Sequence, residues 1–137
     1  MTLTNIGRIE QERGRYAEAQ EAYDRVLTLY GRLYPDPHPK RVSLQDRRCD
    51  LFLLRLDWAT AAETCQQAIT EGLVVGAPSR KAVMGSYEKL AQAERKRGRK
   101  AAADRAQAEA KKLALILEEE AKKAQNKDSG KEAAPSQ

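Results

Sequence analysis

The sequence of 137 residues lacks the marks of several protein classes. It has no run of about 18 apolar residues, which a membrane-spanning helix requires, and its first ten residues lack the apolar core of a signal peptide. Two cysteines are too few for a disulfide scaffold. No segment alternates apolar and polar residues as a strand does. We therefore expect a cytoplasmic protein with essentially no β-sheet.

The chain also lacks the clustered side chains on which catalysis and metal binding depend. Its single histidine, His38, stands between two prolines, whereas a metal site needs several ligands at set spacings. No phosphate-binding glycine loop, G-x-S-x-G or H-E-x-x-H motif is present. We expect no enzyme activity, no cofactor and no metal, and we interpret His38 as a connector residue.

The two cysteines, Cys49 and Cys65, are 16 residues apart and neither belongs to a C-x-x-C motif. They could form a metal pair or a redox couple, or they could be buried, inert thiols. We favour buried thiols, because both cysteines fall at packing positions of the repeat described below.

The abundant residues are strong helix formers, mainly Ala, Leu, Glu, Lys, Arg and Gln. Charged residues make up 33% of the chain, and the net charge is +5. The excess lies in residues 80–123, which carry 13 basic and 7 acidic side chains. Such a charge load is typical of stacked amphipathic helices, of which only one face is buried.

Three segments of the chain are related by a period of 42 residues: 13–19, 55–61 and 97–103. Arg13, Arg55 and Arg97 occupy equivalent positions, as do two alanines in each segment. Each segment suits a tight turn between two helices, and Gly14 and Gly98 favour a left-handed residue after a helix. Repeats of this size indicate stacked helical hairpins.

We predict an all-α solenoid of three antiparallel helix-turn-helix units. The repeat domain is predicted over residues 1–123, with units at about 2–36, 37–77 and 78–123. The tail, 124–137, has little apolar content and is predicted to be disordered. The six predicted helices are 2–13, 15–33, 37–55, 57–74, 78–97 and 99–123.

The first unit resembles a tetratricopeptide repeat over Leu3–Tyr23. Large apolar, small, turn-forming and aromatic residues stand where that motif has them, at Leu3, Ile6, Gly7, Gly14, Tyr16, Ala19 and Tyr23. The usual period of this motif is about 34 residues. The longer period and the connector Tyr34–Pro39 resemble the kinesin-light-chain type of repeat.

The second and third units depart from the motif. Arg48 replaces an expected apolar residue, and Leu56 stands where glycine is expected. Along the stripe that faces the next unit, Tyr23 becomes Cys65 and then Gln107. A terminal unit needs such a polar outer face, so we expect the array to end at the third unit. The first helix has no cap ahead of it, so the chain could be the C-terminal remnant of a longer array, or that end could meet a partner or a second copy.

Arrays of this type commonly bind peptides on the concave face, which is lined by the first helix of each unit. The resemblance therefore implies a set of candidate peptide-binding residues that is polar and mixed in sign. The set consists of Asn5, Arg8, Gln11, Asp46, Arg47, Asp50, Lys89, Gln92, Arg95 and Lys96. Arg8, Arg47 and Lys89 are expected to be free cations, which favours an acidic peptide as the ligand.

The run from Arg95 to Lys100 holds five basic residues out of six. It could be a patch for an acidic peptide, RNA or anionic lipid. It could instead be a solvated turn whose cations suit a helix C-terminus, which is the simpler interpretation. Nucleic-acid binding is not expected, because stacking aromatics are scarce nearby.

The leading hypothesis is a protein-interaction adaptor, and the partner is another protein or peptide. The alternative is a regulatory or sensor portion of a larger signalling protein or enzyme. A third hypothesis is an RNA- or anionic-surface binder that uses the basic third repeat.

Overall fold

The computed structural model describes residues 2–132, and side chains are described as far as residue 127. The described chain forms six α-helices and one short 3-10 helix, Ala77–Ser79, without any strand. The predicted all-α architecture of three helix-turn-helix units is confirmed. The α-helices are α1 (Leu3–Glu12), α2 (Tyr16–Leu33), α3 (Pro39–Leu54), α4 (Trp58–Val75), α5 (Arg80–Lys96) and α6 (Lys100–Glu132).

The last helix is longer than the sequence analysis predicts. It continues to Glu132, so its predicted end at residue 123 is corrected, and the helix enters the segment predicted as a disordered tail. Neither glycine nor proline occurs between Gly98 and Gly130 to interrupt it. The rest of that tail, 133–137, lies outside the described residues.

The three turns within the units share one backbone geometry. Gly14, Leu56 and Gly98 have φ values of +75°, +61° and +77°, in the left-handed region. After each of them, the next residue donates its N–H to a carbonyl five residues earlier, at 2.8–2.9 Å. This hydrogen bond closes the preceding helix in a Schellman motif. Leu56 therefore holds a conformation that favours glycine, at a steric cost of about 1–2 kcal/mol.

Tyr23 joins the first unit to the second. A Cβ atom added to Gly7 would lie only 2.5 Å from Cε1 of Tyr23, so α1 and α2 approach closely because position 7 has no side chain. The Tyr23 residue is only 1% exposed. It packs in one cluster with Leu44 and Leu51 of α3.

A second cluster of Val42, Ile69 and Val83 joins α3, α4 and α5.

Arg48 stands where an apolar residue was expected. Its guanidinium group makes polar contacts and also packs over an aromatic ring. Its Nη2 atom lies 3.2 Å from Oδ1 of Asp24 in α2, and its Nη1 atom donates to Gln45 at 2.8 Å. The guanidinium carbon lies 5.7 Å from the centre of the Phe52 ring, within cation–π range. A cation therefore fills the space between α2 and α3 that an apolar side chain was expected to fill.

The outer face of α6 is polar, in contrast to the equivalent faces of α2 and α4. Tyr23 and Cys65 are buried, whereas Gln107 at the equivalent position is only half-buried. Lys100 and Lys111 are exposed. The third unit therefore presents to water the stripe that the first two units bury.

The burial of Tyr23 leads to a testable difference between units. Tyr23→Ala should lower the free energy of unfolding by about 3–5 kcal/mol, because it leaves a cavity between the first two units. Gln107→Ala, at the equivalent position of α6, should cost less than about 0.5 kcal/mol. Chemical denaturation of both variants measures the difference, and equal costs would contradict the assignment of α6 as the polar end of the array.

The left-handed Leu56 leads to a second prediction. Leu56→Gly should raise the free energy of unfolding by about 1 kcal/mol, because the strain of a left-handed leucine is relieved and its exposed side chain leaves no cavity. Gly98→Ala is the matched control and should lower it by about the same amount. A destabilised Leu56→Gly variant would show that the leucine side chain supports the fold.

Candidate functional site

A groove of about 700 Å³ runs along the face formed by α1, α3 and α5. It contains six of the ten predicted binding residues: Arg8, Gln11, Asp46, Arg47, Asp50 and Lys89. The groove also takes in side chains that were not among the predicted residues: Glu12, Tyr23, Ser43, Pro78, Lys81 and Ala82. The remaining four, Asn5, Gln92, Arg95 and Lys96, are exposed and do not line it.

Lys89 forms an ion pair that connects two helices. Its Nζ atom lies 2.9 Å from both carboxylate oxygens of Asp46, and the buried hydroxyl of Ser86 donates to the same carboxylate at 2.8 Å. These bonds tie α5 to α3. The expectation that Lys89 is a free cation is wrong, because its charge is neutralised within the groove.

A second network ties α1 to α3 at the floor of the groove. The side-chain amide of Gln11 donates to Asp50 at 2.7 Å, and the hydroxyl of Tyr23 donates to the amide oxygen of Gln11 at 3.0 Å. Burial raises the pKa of the Tyr23 hydroxyl above 10.0, and the nearby Asp50 carboxylate acts in the same direction, whereas Arg47 and Arg8 oppose it. Gln11 and Asp50 thus hold the helices in place.

Three cations remain exposed along the groove: Arg8, Arg47 and Lys81. Within the described chain none of them forms an ion pair with a carboxylate. Lys81 was missed because it lies in the first turn of α5, outside the stretch that the family resemblance maps to the binding face. It stands eight residues before Lys89, and a spacing of two i,i+4 steps places both on one side of the helix.

Lys96 belongs to a different surface. Its Nζ atom lies 5.7 Å from the centre of the Trp58 ring, at the end of the domain where the turns within the units lie. The predicted set of binding residues therefore does not continue along the groove from Lys89 to Lys96.

Cys49 and Cys65 are joined in a disulfide. The interpretation as separate inert thiols is corrected, although both residues are fully buried, as predicted. The physical reason lies in the repeat, since Cys49 is equivalent to Gly7 and Cys65 to Tyr23. The equivalent helices meet at that point, so the two Cα atoms are only 5.3 Å apart, a separation typical of disulfides.

His38 has a local structural role. Its Nδ1 atom accepts a hydrogen bond from the N–H of Lys40 at 3.1 Å, which caps the start of α3. Its ring stacks on Tyr34 with centroids 4.1 Å apart. Over the part of the chain that the structure describes, no group of three or more His, Cys, Asp or Glu residues is placed to hold a metal ion.

Comparison with known proteins identifies the type of fold. Residues 1–40 match the family model described as tetratricopeptide repeat. The fold is a tetratricopeptide-type repeat fold. A search of curated protein sequences gave no match. Tetratricopeptide repeats generally mediate protein–protein interaction.

Among the solved structures that match, two are similar over most of this chain. Both show the nearly identical TPR-like repeats of a Podosopora anserina protein designated a kinesin light chain, and one of them carries a single substitution. The substituted form aligns with a TM-score of 0.69 and 16% identity over 85% of this chain. The other aligns with a TM-score of 0.66 and 18% identity over 84%. The aligned part of this chain spans about half, 55%, of the length of each of those two chains.

The resemblance to the kinesin-light-chain type of repeat is thereby confirmed at the level of the fold. Among the described residues, no helix is long and apolar enough to cross a membrane.

The contribution of the Asp46–Lys89 ion pair to stability can be measured with a double-mutant cycle. Asp46→Ala and Lys89→Ala should show a coupling energy of about 1 kcal/mol or more, because both side chains are largely shielded from water. The exposed pair of Glu109 and Lys112 is the matched control and should couple by less than about 0.5 kcal/mol. Thermal or chemical unfolding of the variants gives both values. Equal coupling energies would contradict the claim that the Asp46–Lys89 ion pair holds α3 and α5 together.

Proposed function

We propose that this domain is a protein-interaction adaptor that binds an extended, acidic peptide segment in the groove of α1, α3 and α5. The observation that supports the proposal is the charge distribution within the groove. Arg8, Arg47 and Lys81 form no ion pair with a carboxylate in the described chain. Asp46 and Asp50, in contrast, accept hydrogen bonds from neighbouring helices. The charge left for a ligand is mainly positive.

The Asp46 and Asp50 carboxylates would otherwise repel an acidic ligand. Asp46 already accepts bonds from Lys89 and Ser86, and Asp50 accepts one from Gln11. Glu12 is the one exposed carboxylate among the lining residues. Both networks therefore hold the helices fixed, and the ion pair with Lys89 also reduces the negative field of Asp46 in the groove.

The size of the groove suits a short stretch of extended chain. Three neighbouring helices are spaced by about 8–10 Å at each step. A path from α1 to α5 is thus about 20 Å long, which corresponds to about six residues at about 3.3 Å each. Only a few charge contacts fit in that length, so we expect modest affinity that falls with ionic strength.

The proposal is tested with a fluorescent ten-residue peptide rich in Glu and Asp, and with its Lys-rich counterpart. Fluorescence anisotropy should show binding of the acidic peptide alone, and the binding should weaken as salt is added. The double variant Arg8→Glu, Arg47→Glu should lose this binding at least tenfold, because two attractive contacts become repulsive.

The double variant Arg25→Glu, Arg32→Glu is the matched control. It makes the same change in net charge on the exposed side of α2, and it should retain binding within about threefold. Equal loss in the two variants would show that net charge alone attracts the peptide. Loss in the α2 variant only would place the site on the convex face and overturn the proposal.

A further inference from the structure

The three turns within the units lie along one edge of the domain. The first helices of the units run in the same direction, so each ends at this edge. Side chains connect neighbouring turns, since Lys96 lies over the ring of Trp58 and Arg55 donates a hydrogen bond to Gln20 in the second turn of α2. We call this surface the turn edge and define it by residues 13–15, 55–57 and 95–100.

The turn edge carries a strong positive charge. Its single acidic residue is Asp57, and the Asp57 carboxylate is engaged in capping α4 through the N–H of Thr60 at 3.2 Å. The eight basic residues are Arg13, Arg15, Arg55, Arg95, Lys96, Arg97, Arg99 and Lys100. The sequence shows only the basic run of the third unit, and the fold adds to it the arginines of the first two turns.

Few of these cations are neutralised. Glu94 lies 2.8 Å from Arg97 and 4.0 Å from Arg99, and Glu10 lies 3.7 Å from Arg15. The other five form no ion pair within the described residues.

At the opposite edge, two of the arginines are paired. Arg41 contacts both Asp36 and Glu71, and Arg80 contacts Glu120. The turn edge, by contrast, gathers five unpaired cations into one surface.

Two exposed leucines, Leu54 and Leu56, form an apolar tip among these cations. Leu56 is 68% exposed and Leu54 is 43% exposed. Leu56 also occupies a left-handed turn position that both neighbouring units fill with glycine. The fold gains no burial from this leucine and bears its steric strain, and retained strain of this kind is typical of functional positions.

We propose that the turn edge is a docking surface for an anionic lipid bilayer. Arginine and lysine side chains bind lipid phosphate and carboxylate groups, and each cation near such a surface strengthens binding by about fivefold. The exposed leucines can enter the boundary between headgroups and acyl chains, as the apolar residues of peripheral proteins do.

Among anionic partners, a bilayer explains both features, because a purely electrostatic partner needs no exposed leucine. Single-stranded nucleic acid would instead call for stacking aromatics. The aromatics next to this edge, Tyr16 and Trp58, are partly buried against the core, and Trp58 is also covered by Lys96. This surface is separate from the groove, so the two proposals stand or fall independently.

The test measures flotation of the full chain with two kinds of vesicle. One contains equal parts of phosphatidylcholine and phosphatidylserine, and the other contains phosphatidylcholine alone. The protein should float with the anionic vesicles only, and added salt should weaken the binding. Absence of binding, or equal binding to both vesicles, would overturn the proposal.

Leu56→Gly separates docking from folding. This variant should be more stable than the parent chain, and yet it should bind anionic vesicles about tenfold more weakly, because it loses the apolar tip. Undiminished binding would show that the leucine does not enter the bilayer. That result, or equally tight binding of the parent chain to single-stranded RNA, would overturn the assignment of lipid as the partner.

Charge reversal tests the cations of the turn edge. Arg15→Glu with Lys100→Glu should weaken vesicle binding at least about 25-fold. Both positions lie at helix N-termini, where a carboxylate favours the helix, so the variant should remain folded. Arg25→Glu with Lys111→Glu is the matched control with the same change in net charge and should bind within about threefold. Equal losses in the two variants would contradict a specific docking edge.

Discussion

The close approach of the two helices within each repeat unit is the contact on which the rest of the domain depends. It occurs at a pair of positions 16 residues apart, which recurs every 42 residues. In the first unit a residue without a side chain faces an aromatic ring, and in the second a disulfide spans Cα atoms 5.3 Å apart. Equivalent contacts in the first two units are therefore made by different side chains. The three pairs are Gly7 with Tyr23, Cys49 with Cys65, and Ala91 with Gln107.

Tyr23 connects this packing contact to the proposed binding surface. Its ring belongs to the core between the first two units, and its hydroxyl orients Gln11, which in turn holds Asp50. The core residue thus fixes the position of a polar group in the groove. The ion pair of Asp46 and Lys89 does the same between the second and third units. The ion pair also neutralises one positive and one negative charge in the groove, so it decides which cations a ligand would meet.

The stacking of units also creates two surfaces of different character. The face of α1, α3 and α5 carries mixed charges, of which Asp46, Asp50 and Lys89 are engaged in bonds between helices. The turn edge carries mainly unpaired cations around an exposed leucine. Both follow from the parallel stacking of helical hairpins, which brings equivalent positions of all units to the same side. A residue type repeated at one position then becomes a continuous stripe, as the arginines at 13, 55 and 97 show.

The sequence by itself determined the helices, the three turns and the 42-residue register, because helical periodicity and turn chemistry act over only a few residues. The family resemblance also assigned Arg8 and Arg47 to the face that forms the groove. Only the tertiary structure decided that Lys89 is neutralised, that Lys81 joins the groove and that Arg48 bonds to Asp24. The register had already aligned Cys49 with Gly7 and Cys65 with Tyr23, but only the packed helices brought their sulfur atoms together. The physical reason is distance along the chain, since each of these outcomes depends on side chains of different helices, whose orientation is fixed only when the units pack.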